Sequence, residues 1–117
     1  MKIVDLNTFL ALPENTVFAK YKPCVFEDLS IKGATIGDDF LVQYLVDSFI
    51  NSGTTDFFDT LNRIEHSGES VTMDFDSWSR DGMFEPSQLF AVWEDSDIQL
   101  LIDRLSRCVS TLAPTKP

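Results

Sequence analysis

Two hydrophobic periods run through this chain, and no single class of secondary structure satisfies both. Ile98, Leu101, Ile102, Leu105, Val109 and Leu112 recur at three- and four-residue spacing, the stripe of an amphipathic helix. Over 70–76 the apolar residues alternate instead, Val71, Met73 and Phe75 against Thr72, Asp74 and Asp76, as in a strand with one face on a core. At 117 residues the chain is long enough for one core. The expected fold is therefore a single α+β domain over 1–112, a small antiparallel sheet of about four strands with helices packed on one face, followed by a flexible tail at 113–117.

The remaining elements follow from punctuation and pattern. Asp5 or Asn7 caps a short N-terminal helix that ends before Pro13. Segments 16–22 and 24–32 mix β-branched and aromatic residues with lysines and read as paired strands. In 39–51 the polar residues Gln43, Asp47 and Asn51 recur every four positions, which predicts a largely buried helix stopped at Gly53. A second helix is expected over 55–67, with Phe57, Leu61 and Ile64 inward and Gly68 ending it. Arg80-Asp81-Gly82 is a tight-turn signal that would join strand 70–76 to an apolar strand at 88–93 holding Trp93 in the core. Ser96 and Gln99 form a capping box for the last helix.

With 44% hydrophobic residues, ten of them Phe, the chain can build a core despite its net charge of −10. No run of eighteen apolar residues and no signal-peptide pattern occurs, so the expected location is the cytoplasm. Cys24 and Cys108 lack partners at metal-ligand spacing and are expected as free buried thiols. The charge is unevenly placed: residues 38–97 hold fourteen Asp and Glu against Arg63 and Arg80. Such a field repels nucleic acid and anionic membranes and steers cationic partners inward.

The acidic stretch 73–85 does not make a calcium loop. Counting from Asp74, the fifth position is Trp78 and the sixth Ser79, where an oxygen ligand and Gly are needed; only the aspartates and Glu85 at the twelfth fit. No catalytic residue, cofactor or metal site is expected. His66 stands alone beside a helix stop, and no nucleophile elbow, phosphate loop or Cys/His cluster accompanies it. Trp78, in a polar turn, is either an aromatic anchor for a basic partner or folded back over the sheet edge.

The segments 9–23 (FLALPENTVFAKYKP), LSIKG, RDGMFE and QLFAVWE together resemble small acidic proteins encoded by phages and prophages, over most of the chain. Many of those carry Gly where this chain has Asn15. The resemblance implies no catalytic residue. It implies a context, since that class includes inhibitors of host defence, among them anti-CRISPR proteins, some of which mimic nucleic acid.

The resulting expectation is a non-enzymatic, anti-CRISPR-like inhibitor whose carboxylates stand in for phosphates on a basic nucleic-acid-binding protein of the bacterial host, with no direct contact to nucleic acid or membrane. Homodimerisation is left open. The expected partner-binding residues are Asp74, Asp76, Trp78, Asp81, Glu85, Glu94, Asp95 and Asp97, with Asp56, Asp59 and Glu65 as a second patch. The alternatives are an immunity-type inhibitor of a nuclease toxin and, from another class, a small metal-dependent enzyme or binding module using Asp74, Asp76 and Asp81. Calorimetric titration with Ca2+ is expected to show only non-specific screening. One-site micromolar binding that disappears in Asp76→Asn would revive the metal alternative.

Overall fold

The computed structural model describes residues 1–82 and 85–112, with side chains through Val109. The expected tail lies outside the described residues. The fold is α+β, with an antiparallel sheet and three helices in the order β1 (Lys2–Val4), α1 (Leu6–Leu10), β2 (Thr16–Lys22), β3 (Val25–Phe26), β4 (Ser30–Ile36), β5 (Asp39–Tyr44), α2 (Thr54–Ser67), β6 (Ser79–Arg80), β7 (Leu89–Val92) and α3 (Asp95–Leu112). The sheet has seven strands, more than the four expected. Six run in the order β1-β7-β2-β4-β5-β6, and β3 hairpins onto the end of β2.

One sheet face carries the core. In register, Phe18 lies opposite Val92, Lys32 opposite Val42, and Val4 opposite Phe90. Directly opposed residues share a face, so these side chains converge. Onto them α1 lowers Phe9, which is fully buried with Phe18, Phe40, Val42, Phe90 and Val92 around it and Leu6, Leu10 and Leu12 beside it. Asp5 caps α1 by accepting from the Thr8 N–H at 2.8 Å.

The expected helix at 39–51 is not formed. Residues 39–44 are β5, paired to β4 through the two-residue loop Gly37-Asp38, where Gly37 has φ +62°. A two-residue loop with a positive φ suits the twist of a hairpin, and a spacing of four is even, so Gln43 and its kin fit one strand face as well as one helix face. Phe40 and Val42 are buried together, while Leu45, beyond the strand, is only half-buried.

The expected strand at 70–76 is reduced to one bridge, Phe49 with Met73. Met73 and Phe75 are exposed, so the alternation does not point into a core. Asp74 accounts for this: its carboxylate accepts from the Asp76 N–H at 2.8 Å and the Ser77 hydroxyl at 2.7 Å, holding the backbone in a local turn. The expected hairpin through 80–82 is absent as well. Arg80 belongs to β6 and pairs with Leu41, while β7 runs between β1 and β2.

A bulge separates Lys32 from Thr35 in β4, and Gly33 sits in it. A Cβ there would come within 2.8 Å of the Trp78 ring and 3.0 Å of the Leu41 Cβ, so only Gly fits. Asn15 takes the left-handed conformation, φ +71°, and its N–H donates to the Lys32 carbonyl at 2.7 Å. A glycine would be equally at ease at this turn.

Helix α2 matches its expected span and ends at Gly68, φ +75°. Phe57 stacks on Phe49 at 4.8 Å and Thr60 is buried, but Leu61 faces outward at 36% exposure. The capping box of α3 forms two residues earlier than expected: the Asp97 carboxylate accepts from the Glu94 N–H, and the Glu94 carbonyl accepts from Asp97 and Ile98. The outer part of its stripe is uncovered, with Ile102, Leu105 and Val109 exposed. The radius of gyration, 16.7 Å, exceeds the roughly 13 Å of a fully packed domain this long, as two helices that bury little require. Cys24 is exposed and Cys108 half-buried, against the expectation of buried thiols. Trp93 is half-buried.

The core geometry makes Phe9 the costliest apolar side chain to remove. Phe9→Ala is expected to lose about 3 to 5 kcal/mol in denaturant unfolding by transfer and cavity terms. A loss below about 1 kcal/mol would show that α1 does not anchor the sheet.

Candidate functional site

Two of the many carboxylates are spent inside the fold. Asp39, 2% exposed, accepts from the Arg80 Nε at 2.9 Å, the Gly82 N–H at 3.0 Å and the Phe40 N–H at 2.8 Å. Burial pushes its carboxyl up, but the Arg80 bond and the two backbone donors outweigh that and hold it below the ordinary range. Asp39 thus ties β6 to the start of β5, and sequence reading gave it no role because its partner lies 41 residues away.

Asp81 was expected at the surface and is not there. Its side chain is 1% exposed, with the Lys20 Nζ at 2.9 Å and the Tyr44 hydroxyl donating to it at 3.2 Å. Lys20 sits on β2 and Tyr44 on β5, so this carboxylate braces the sheet across two strands. Burial, with Asp81 next to it, pushes the Tyr44 hydroxyl up to about 12. Reversing Asp81 to Lys would break a buried pair and the fold with it. Lys32 is a third buried charge, donating from Nζ to the Leu12 and Gly33 carbonyls and the Thr35 hydroxyl. Burial lowers its pKa.

The other expected residues separate into local roles. Glu94 and Asp97 hold the N-terminal amine at 3.3 and 2.5 Å, and Asp97 also closes the α3 cap. Glu85 is exposed and accepts from the Ser87 N–H and hydroxyl. Asp95, Asp76 and Glu65 are exposed. Trp78 takes the second of its two expected positions, its ring over Gly33 and Leu41 with 38% left exposed. His66, in the last turn of α2, is open to water.

Asp74 and two residues of the second patch, Asp56 and Asp59, lie around the N-terminus of α2, while Glu65 is in its last turn. A cavity of about 450 Å³ is lined by Asp47 and Asp74 at its polar side and by Phe49, Phe57 and Phe58 at its apolar side. A shallower depression holding Asp56 and Asp59 adjoins it through Gly53 and Thr54, which line both. Asp56 accepts from the Ser52 N–H at 2.8 Å and so caps the entry to the helix. Asp47 was read as the polar side of a helix. No sequence signal placed it beside Asp74, because the contact depends on the Phe49–Met73 bridge.

The carboxylates with resolved shifts all move down. Asp74 is lowered by the Ser77 hydroxyl and then the Asp76 N–H, Glu85 by the Ser87 N–H and then its hydroxyl, Asp97 by the N-terminal amine and then the Glu94 N–H, and Asp5 by Thr8. Such groups are fixed anions and acceptors at neutral pH, whereas a general acid needs its pKa raised. Among the described residues no three of His, Cys, Asp and Glu are grouped to hold a metal ion, and Asp81 is engaged by Lys20. No helix of the described residues is long and apolar enough to cross a membrane. No protein-family model matches the chain, and no curated protein or solved structure matches it.

A group whose folded pKa is depressed contributes stability above its unfolded pKa and loses it as pH falls. Asp39, with an ordinary value of 3.8, should therefore support the fold at neutral pH and begin to lose that contribution below about pH 4, as pH falls toward its lowered folded value. Asp39→Asn is expected to destabilise the protein at pH 7 and to flatten the acid arm of its unfolding curve. An unchanged acid arm would mean that Asp39 does not titrate with folding.

Proposed function

We propose that this protein is a non-enzymatic inhibitor of the kind encoded by phages and prophages, and that its acidic face occupies a basic, nucleic-acid-binding surface of a bacterial defence protein. The observation that carries the reading is the junction at the head of α2, where Asp74 and Asp47 line one depression and Asp56 and Asp59 the adjoining one. Groups far apart in sequence thus line adjoining depressions there. The exposed Asp76 lies next to it in the chain, and Phe75, 50% exposed, supplies an apolar contact beside the charges.

Duplex DNA carries one charge per about 1.7 Å of axis, and a few converging carboxylates imitate a short stretch of it. The lowered pKa of Asp74 keeps that carboxylate charged throughout the physiological range. A partner that binds phosphates through Lys and Arg would meet this surface at an enhanced rate, which salt suppresses. Phe75 takes the anchoring role first assigned to Trp78, whose indole lies over Gly33.

Affinity capture from a bacterial lysate at low salt is expected to retain a nucleic-acid-binding protein that high salt releases. With that partner purified, reversing the exposed Asp47, Asp59 and Asp76 to Lys should slow association at least about tenfold, because steering acts before contact. Phe75→Ala should instead speed dissociation. Wild type should displace DNA or RNA from the partner. If the triple reversal associates at the wild-type rate, the acidic junction is only solvated surface and the reading fails.

A further inference from the structure

Two helices each leave apolar residues uncovered, a pair on α2 and a three-residue strip on α3. On α2, Phe58 and Leu61, 62% and 36% exposed, line up with Glu65 at i, i+3 and i+7 while Phe57 and Thr60 turn inward. On α3, Ile102, Leu105 and Val109, 49%, 52% and 68% exposed, stand at i, i+3 and i+7 as well. The α3 strip covers about 10 Å of helix axis and the Phe58–Leu61 pair about 5 Å, with Glu65 one turn further on. Helices draw their stability mainly from burying such a stripe rather than from propensity, so both strips call for a cover.

Charge selects the cover. Laying a second α3 on the first about Leu105 would bring Arg104, one residue away, against its own copy, and like charges disfavour that arrangement. Helix α2 offers the opposite sign: its strip runs from Phe58 and Leu61 into the exposed Glu65. The last twenty residues, where Arg104, Arg107 and Lys116 outnumber Asp103, complement the acidic middle of the chain.

We propose that the outer half of α3 of one copy docks on the Phe58, Leu61 and Glu65 strip of α2 of a second copy, and reciprocally, to give a two-fold dimer. Leu105 packs between Phe58 and Leu61, and Arg104 pairs with Glu65. Reciprocity closes the assembly at two chains and doubles the apolar area removed from water. The inference does not rest on the proposed function, although Phe58 also lines the cavity that holds Asp47 and Asp74.

Sedimentation of the full chain between about 1 μM and 1 mM should show a monomer–dimer equilibrium. Phe58→Glu and Leu105→Glu, both at exposed positions, should each raise the dimer Kd at least about tenfold while the circular dichroism spectrum and melting stay those of wild type. Should either variant lose its fold, the charge pair decides: Glu65→Arg should weaken the dimer, and adding Arg104→Glu should restore it. A chain that stays monomeric across the range overturns the proposal. So does a Phe58→Glu protein that folds and dimerises as tightly as wild type, or a charge swap that restores nothing.

Discussion

The fold depends on one ring. Phe9 stacks on Phe90 at 3.9 Å and meets Phe18 and Phe40 edge-on at 4.7 and 5.0 Å. Those partners come from β7, β2 and β5, so a five-residue helix, too short to be stable alone, is held by three strands and in turn closes the face they share. The Lys32 Nζ lies 5.8 Å from the same ring and fastens the chain leaving α1 through the Leu12 carbonyl. Its burial is tolerated because three oxygens satisfy the ammonium protons.

Around this core the acidic residues divide by what they bind. Asp39 and Asp81 are committed to Arg80 and Lys20 and secure β6 and the segment after it, which no long strand holds. Asp74, Asp97 and Asp56 are committed to backbone donors and shape a turn and two helix starts. Only the remainder, with the outer oxygens of these, faces solvent as free negative charge. The two ion pairs cancel internally, so the net charge of −10 is carried by the other carboxylates, among them Asp47, Asp56, Asp59 and Asp74 around the head of α2.

The misreadings have physical causes. Gln43, Asp47 and Asn51 share a face at either period, and the deciding signal was the short Gly37-Asp38 loop, which makes β4 and β5 a hairpin. Val71, Met73 and Phe75 alternate as a strand does, yet a strand needs a neighbour to accept its N–H groups. Here Asp74 captures its own loop, and the segment gains only the bridge to Phe49. The stripe of α3 is helical as expected, with Ile98 and Leu101 half-buried but Ile102, Leu105 and Val109 exposed, because periodicity states which residues lie together and not what lies opposite them.

The sequence by itself determined what local chemistry decides: the Asp5 cap, the spans of α2 and α3 with the Gly68 stop, the pleat of β2 and β7, and an acidic middle segment. Tertiary structure alone decided which carboxylates are buried, that Trp78 lies over Gly33, and that Asp47 joins Asp74 at a cavity. The reason lies in distance along the chain. Caps and periods act within a few residues, whereas Lys20 meets Asp81 and Asp39 meets Arg80 across 61 and 41 positions, and only the completed sheet brings them within hydrogen-bonding reach.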